Sequence, residues 1–215
     1  MVPVYLESGK HWVFACALDW PGWCRRAKGE EAALDALAEY VPRYAGVAER
    51  AGVRFPSAAP TFEVVQRRPP GPGFDNVDFG ALGAPADADA APLTAAQAKR
   101  LATIVEASWS VLDDVVAKAP AQLRKGPRGG GRDRDGVFAH VVAAEASYAR
   151  KLGVRHKAPD PDDAEAIAAL RKDLIEALRS ARAADATAWP PRYFARRVAW
   201  HVLDHAWEIE DKSEQ

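Results

Sequence analysis

Three histidines have the residue type and spacing for metal chemistry. His201 and His205 stand four apart in RRVAWHVLDHAWEIEDK. On a helix that spacing puts them about 40° apart around the axis and about 6 Å apart along it, so both imidazoles can converge on one ion. A pair of this kind is weak evidence alone, and a metal site requires a third ligand. His140, in GVFAHVVAAEASY, supplies the candidate: it is flanked by Phe138, Val141 and Val142, where a buried unpaired ring would cost free energy. Three neutral imidazoles from two helices make a facial set with open positions, a pattern of catalytic more than of closed structural sites. An ion held there would lower the pKa of water or a thiol. The competing reading is three ordinary helix histidines satisfied by carboxylates, and spacing alone leaves both open. His11, before a strand, and His156, between Arg155 and Lys157, are not placed to join.

Neighbouring residues extend the same helical stripe. Arg197 lies four before His201 and Glu208 three after His205. Glu208 is positioned to orient an imidazole N–H or accept a proton, and Arg197 to bind an anionic substrate group; solvated or paired surface charges are the alternative for each. Tyr148, eight residues after His140, falls near the same face in a packing role. The loop KGPRGGGRDRDG exposes backbone N–H groups and arginines but lacks the lysine and hydroxyl of a Walker loop and follows a helix. It reads as an interhelical loop near the site. Cys16 and Cys24 flank a DWPG turn; pairing Ala17 with Cys24 would put them on opposite sheet faces as free, buried thiols.

These residues must be positioned by helices, and the second half of the chain spells four. LTAAQAKRLATIVEASWSVLDDVVAKAP has Thr94 as a cap and an apolar stripe from Leu101 to Val116. RDGVFAHVVAAEASYARKLG carries His140 and ends at Gly153, placed as a C-cap. DPDDAEAIAALRKDLIEALRSARA is acidic at its start and basic at its end, and WPPRYFARRVAWHVLDHAWEIEDK admits Pro191 in its first turn. The first 69 residues differ: VPVYLE, KHWVFACAL and FEVVQRR read as strands around a helix that Pro42 ends or kinks. Between them RPPGPGFDNVDFGALGAPADADAAP has no period, yet Phe74, Val77, Phe79 and Leu82 make it too apolar for a free tether. The fold class expected is α+β, a small β-β-α-β domain (1–69), a linker (70–92) and a four-helix bundle (93–215).

Composition bounds the partners. With 29 basic and 30 acidic residues in 215, the net charge of -1 gives no reason to expect nucleic acid or an anionic membrane. No basic leader precedes the first apolar stretch, and no apolar run approaches the roughly 20 residues that span a bilayer, so a soluble cytoplasmic protein is expected. Seven tryptophans, Trp20 and Trp23 beside the tight turn among them, suggest some aromatic surface that a second copy would cover in a homodimer, core packing being the commoner use of such residues.

Two resemblances follow from the residues above. GVFAHVVAAEASYARKLG and RRVAWHVLDHAWEIED resemble the DinB-like (YfiT-like) metalloenzymes, four-helix bundles with one histidine on the second helix and two on the fourth. The resemblance implies His140, His201 and His205 as ligands of a divalent ion, zinc or nickel. It also implies thiol-dependent S-transferase, isomerase or hydrolase activity on a small molecule, with a low-molecular-weight thiol as co-substrate. The opening HWVFACALDWPGWCRRAKGEEAALDAL is similar to the HicB antitoxin domain through Asp19, Pro21, Gly22, Glu30, Glu31 and Ala32. HicB proteins usually add a DNA-binding domain, in whose place this chain has the histidine-bearing helices. The expectation is therefore a metal-dependent transferase or hydrolase with an assembly or shielding module. The alternative is a non-catalytic binding protein that uses the HicB-like unit for a partner.

Overall fold

Residues 2–8 and 13–17 are rich in β-branched and aromatic side chains, which fit a pleated backbone. In the computed structural model, which describes residues 1–56, 60–69, 76–126, 130–181 and 189–213, they form β1 (Val2–Ser8) and β2 (Val13–Ala17), followed by β3 (Cys24–Ala27). Two helices, α1 (Glu30–Glu39) and α2 (Val41–Arg50), then lead to β4 (Phe62–Arg68). Pro42 stands in the first turn of α2, where its missing N–H costs nothing, so the one predicted helix is two with Tyr40 between them. The sheet order is β3-β2-β1-β4, with β1 and β4 parallel and the other pairs antiparallel.

Alternate residues of the strands feed two different cores. Val2, Val4 and Leu6 pack with Leu37, Tyr44 and Val47 and with Ile104, Leu203 and Trp207 from the later helices. Tyr5, Phe14, Cys16 and Cys24, on the opposite face, meet Val77, Leu82, Ala86 and Trp200. Residues 77–86 therefore lie on the sheet, in and after the single turn α3 (Asn76–Phe79), and a 3-10 turn follows at Asp87–Ala90. Val77 and Leu82 are buried, as their apolar character implied, whereas Phe79 is 76% exposed; Phe74 lies outside the described residues.

The cysteine register expected from the turn is one residue off. Cys16 pairs directly with Cys24, and the N–H of Ala17 donates to the carbonyl of Trp23 at 3.0 Å. Five residues, 18–22, make the connection instead of four, with Gly22 at φ 93° supplying the extra left-handed residue. The two thiols are free and buried as expected, yet they lie side by side on one face. Trp20 and Trp23 are also buried, stacked around Tyr44 and Phe55, so they offer no aromatic surface for a second copy.

Four long helices follow: α4 (Ala95–Lys118), α5 (Arg134–Ala149), α6 (Ala164–Ser180) and α7 (Pro191–Ser213). α4 starts at a capping box, Thr94 Oγ1 accepting from Gln97 N and Gln97 Oε1 from Thr94 N. Asp163 caps α6, accepting from Ala166 N. Gly153, at φ 84°, closes a 3-10 turn that extends α5 by Arg150–Leu152. The four helices share one apolar core that includes Leu101, Leu112, Val141, Leu174, Phe194 and Val202. The chain is thus mixed α+β, a four-stranded sheet at the N-terminus and helices mostly in the C-terminal part. Among the described residues no helix is long and apolar enough to cross a membrane.

α7 joins the parts. Its Leu203 and Trp207 enter one sheet core and its Trp200 the other, while Arg196 is buried against Asp89 with two bonds of 2.7 Å and also donates to the carbonyl of Leu18. Burying each large aliphatic side chain at such a seam is worth about 1.5–3 kcal/mol, which fixes the rotation of α7 about its own axis. That rotation turns His201 and His205 toward α5.

Candidate metal centre

α5 and α7 bring the three histidines together. Val137, Val141 and Ala146 of α5 are buried in the helical core, which leaves His140 half-buried on the side toward α7. Nε2 of His140 lies 3.2 Å from Nε2 of His201. The ring of His205 is 4.9 Å from that of His140 and 4.7 Å from that of His201, centroid to centroid. One nitrogen from each ring falls within 4.8 Å of the others.

The electrostatics favour the neutral form of two of the rings. Burial, then the neighbouring His205 and Arg197, holds His201 well below the usual histidine range. His140 is lowered by burial first, then by His205 and Arg132, with Glu208 opposing. Each therefore presents a lone pair at pH 7. Glu208 is held down to about 2, first by its bond with His205, against desolvation and with help from Lys212. An ionised carboxylate only accepts, so Nδ1–H of His205 is the donor in the 2.7 Å bond to Oε2 of Glu208. With that proton held on Nδ1, Nε2 is the nitrogen left to offer a lone pair. Oε1 of Glu208 accepts from Lys212, which completes the support.

The chain does not satisfy these rings by itself. Two Nε2 atoms face each other at 3.2 Å where only one can donate, and Nδ1 of His201 is buried without a partner. A divalent ion suits the 3.2 Å pair, because nitrogens about 2.0–2.1 Å from one zinc stand about 2.9–3.4 Å apart, and the nitrogen of the third ring lies within 4.8 Å of both. Among the described residues the carboxylate bonded to the cluster is Glu208, and it takes Nδ1 of His205, leaving the Nε2 atoms of all three rings.

Of the other residues singled out in the sequence, Arg197 has its guanidinium carbon 4.7 Å from the Trp200 ring and 5.1 Å from the Tyr148 ring. Tyr148 does more than pack, standing edge-on to His201 at 5.6 Å. His156 pairs with Asp173 instead, and the N–H of His11 donates to Asp78. The glycine-rich loop is described only in part, since residues 127–129 lie outside the described residues; its Arg132 acts electrostatically on His140 and His201. A groove of about 690 Å³ between α4 and α6, beside Trp109 and Arg171, contains none of the histidines. Two residues near the site carried no motif. Trp200 adjoins His201 in sequence, but neighbours on a helix are about 100° apart. Glu7 belongs to β1, and no spacing connects it with α7.

In comparison with known proteins, the chain matches no family model, no curated protein and no solved structure.

Proposed function

We propose that this chain is a divalent-metal-dependent enzyme of the DinB-like (YfiT-like) class, with His140, His201 and His205 holding zinc or nickel. The helical part is read as that family's four-helix bundle and the N-terminal sheet unit as HicB-like. The observation that carries the reading is the convergence of three imidazoles from α5 and α7, with the proton of His205 fixed on Nδ1 by Glu208. When bound, such an ion supplies the charge that makes water or a small thiol acidic near neutral pH. That chemistry suits a thiol-dependent S-transferase, an isomerase or a hydrolase acting on a small molecule.

The residues of the chain divide the remaining work. Glu208, with its carboxyl near 2, is too weak a base to take a proton at pH 7; it is a positioning residue that orients His205. Arg197, cationic and one turn from His201, is the group for an anionic part of the substrate. Tyr148 and Trp200 wall that side and exclude water.

The test is elemental analysis of protein purified without an affinity tag that leaches nickel. About one equivalent of divalent metal, lost in His201→Ala, is expected. Less than about half an equivalent, unchanged by that substitution, would favour the binding-protein reading instead.

A further inference from the structure

We propose that Arg197, together with Trp200 and Tyr148, forms a carboxylate-binding subsite beside the three histidines, so that the substrate is a small carboxylic acid. The inference rests on the metal-centre reading for what happens to the bound acid, but the subsite stands on its own geometry. Arg196 and Arg197 are consecutive on α7 and differently served. Arg196 has Asp89 at 2.7 Å, whereas Nη1 of Arg197 is buried with no hydrogen-bond partner. Among the described residues no carboxylate lies within ion-pair distance of Arg197. A guanidinium is donor-only and permanently charged, so what it lacks is an acceptor with negative charge.

A second orphan donor lies against the first. Nε1–H of Trp200 is buried and unpartnered, and the ring that carries it is in contact with the Arg197 guanidinium. Two donors on adjoining side chains thus lack an acceptor, and one carboxylate offers two acceptor oxygens. The rings that hold Arg197 also contact His201: Tyr148 at 5.6 Å and Trp200 at 6.1 Å between centroids. The subsite is thus one side chain away from the cluster. Arg197 precedes His201 by one turn, about 6 Å along the axis, which sets the span between the carboxylate and the atom that reacts.

The surrounding charges favour a monoanion. Glu7, the nearby acidic group that acts on Arg197, accepts from Gly83 N at 2.9 Å and is held up to about 7 by burial, so it does not neutralise the guanidinium fully. Exposed Arg132, which acts on His140 and His201, adds positive potential at the entrance. A phosphate dianion draws on several convergent donors or a helix N-terminus, whereas Arg197 stands beyond the first turn of α7 and the adjoining Arg196 is already paired with Asp89.

The test follows the Trp200 indole N–H by NMR in the full chain, both metal-free and zinc-loaded, during titration with benzoate, benzamide or inorganic phosphate. Benzoate is expected to saturate the shift, with its uncharged isostere benzamide and phosphate each at least about tenfold weaker. Arg197→Gln is expected to weaken benzoate about tenfold or more while zinc stoichiometry stays unchanged. Equal binding of benzoate and benzamide overturns the proposal without any variant, so a misfolded Arg197→Gln leaves it falsifiable. Phosphate binding as tightly as benzoate overturns the carboxylate assignment. Benzoate binding that requires zinc and ignores Arg197 overturns it too, being ligation of the metal. If the protein holds no metal yet benzoate still depends on Arg197, the subsite stands and the metal reading falls.

Discussion

Glu208 Oε2 accepts the Nδ1 proton of His205 at 2.7 Å, and that one bond decides which nitrogen of His205 can serve as a ligand. Because the carboxyl is held down to about 2, it stays ionised through the whole range in which the histidines are neutral. The ring is thereby oriented before any ion arrives, which lowers the ordering cost of binding.

Removing this support is expected to weaken the metal site without removing a ligand. Glu208→Gln keeps an acceptor but loses the charge, and zinc affinity should fall about tenfold; Glu208→Ala should approach about a hundredfold. Titration against a competing zinc chelator measures both. Unchanged affinity in Glu208→Ala would sink the assigned role.

Glu7 gives the fold a defined pH response. Its carboxyl is raised from 4.5 to about 7, chiefly by burial, with Gly83 N–H partly opposing. A raised folded-state pKa means stability present below about 4.5 and lost as pH rises through about 7, by at most about 3 kcal/mol. Glu7→Gln should therefore be more stable than the parent at pH 8, and the difference should shrink to under about 1 kcal/mol by pH 5 and vanish near pH 4. His140 and His201 act oppositely: their folded pKa values are depressed, so their contribution is lost as pH falls below about 6.5. Urea titrations across pH 5–8 separate the two, and a pH-independent Glu7→Gln difference would refute the assignment.

Gly22 sets how closely the DWPG turn seats on α7. A methyl there would stand 2.7 Å from Cδ1 of Leu203 and 3.1 Å from Cβ of Ala199, at φ 93°. Gly29 has a similar φ of 90° with nothing within 4 Å. Gly29→Ala is expected to cost about 1–2 kcal/mol from the backbone alone. Gly22→Ala should cost at least about 1 kcal/mol more, from overpacking against α7. Equal losses in thermal unfolding would mean that the seam yields freely.

The Arg196–Asp89 pair is 1% exposed on both sides. Asp89→Ala leaves a buried guanidinium without its counter-charge and should destabilise by about 3–5 kcal/mol. The double variant Asp89→Leu with Arg196→Met should recover much of that loss, because both charges leave together. A single-variant loss below about 1 kcal/mol would show the pair to be dispensable.

The amino-acid sequence by itself marked most of the elements and the three histidines that converge. Helical periodicity, the Thr94 cap, Gly153 and the acidic start of α6 are local signals, and local backbone preferences carry them without tertiary help. The spacing of His201 and His205 was legible for the same reason, since four residues on a helix always share a face. The cysteine register was not, because a five-residue and a four-residue turn differ by one left-handed glycine, and that choice depends on how Gly22 seats against α7. Trp20 and Trp23 read as surface because a turn is usually exposed; the sheet core absorbed them. Only the tertiary structure decided that His140 of α5 meets His201 of α7, that Arg197 of α7 lies against Tyr148 of α5 with no carboxylate among the described residues in ion-pair reach, and that Glu7 of β1 is buried nearby. Those relations join helices and strands far apart in sequence, and what sets them is the packing of α7 into both faces of the sheet, which no spacing along the chain encodes.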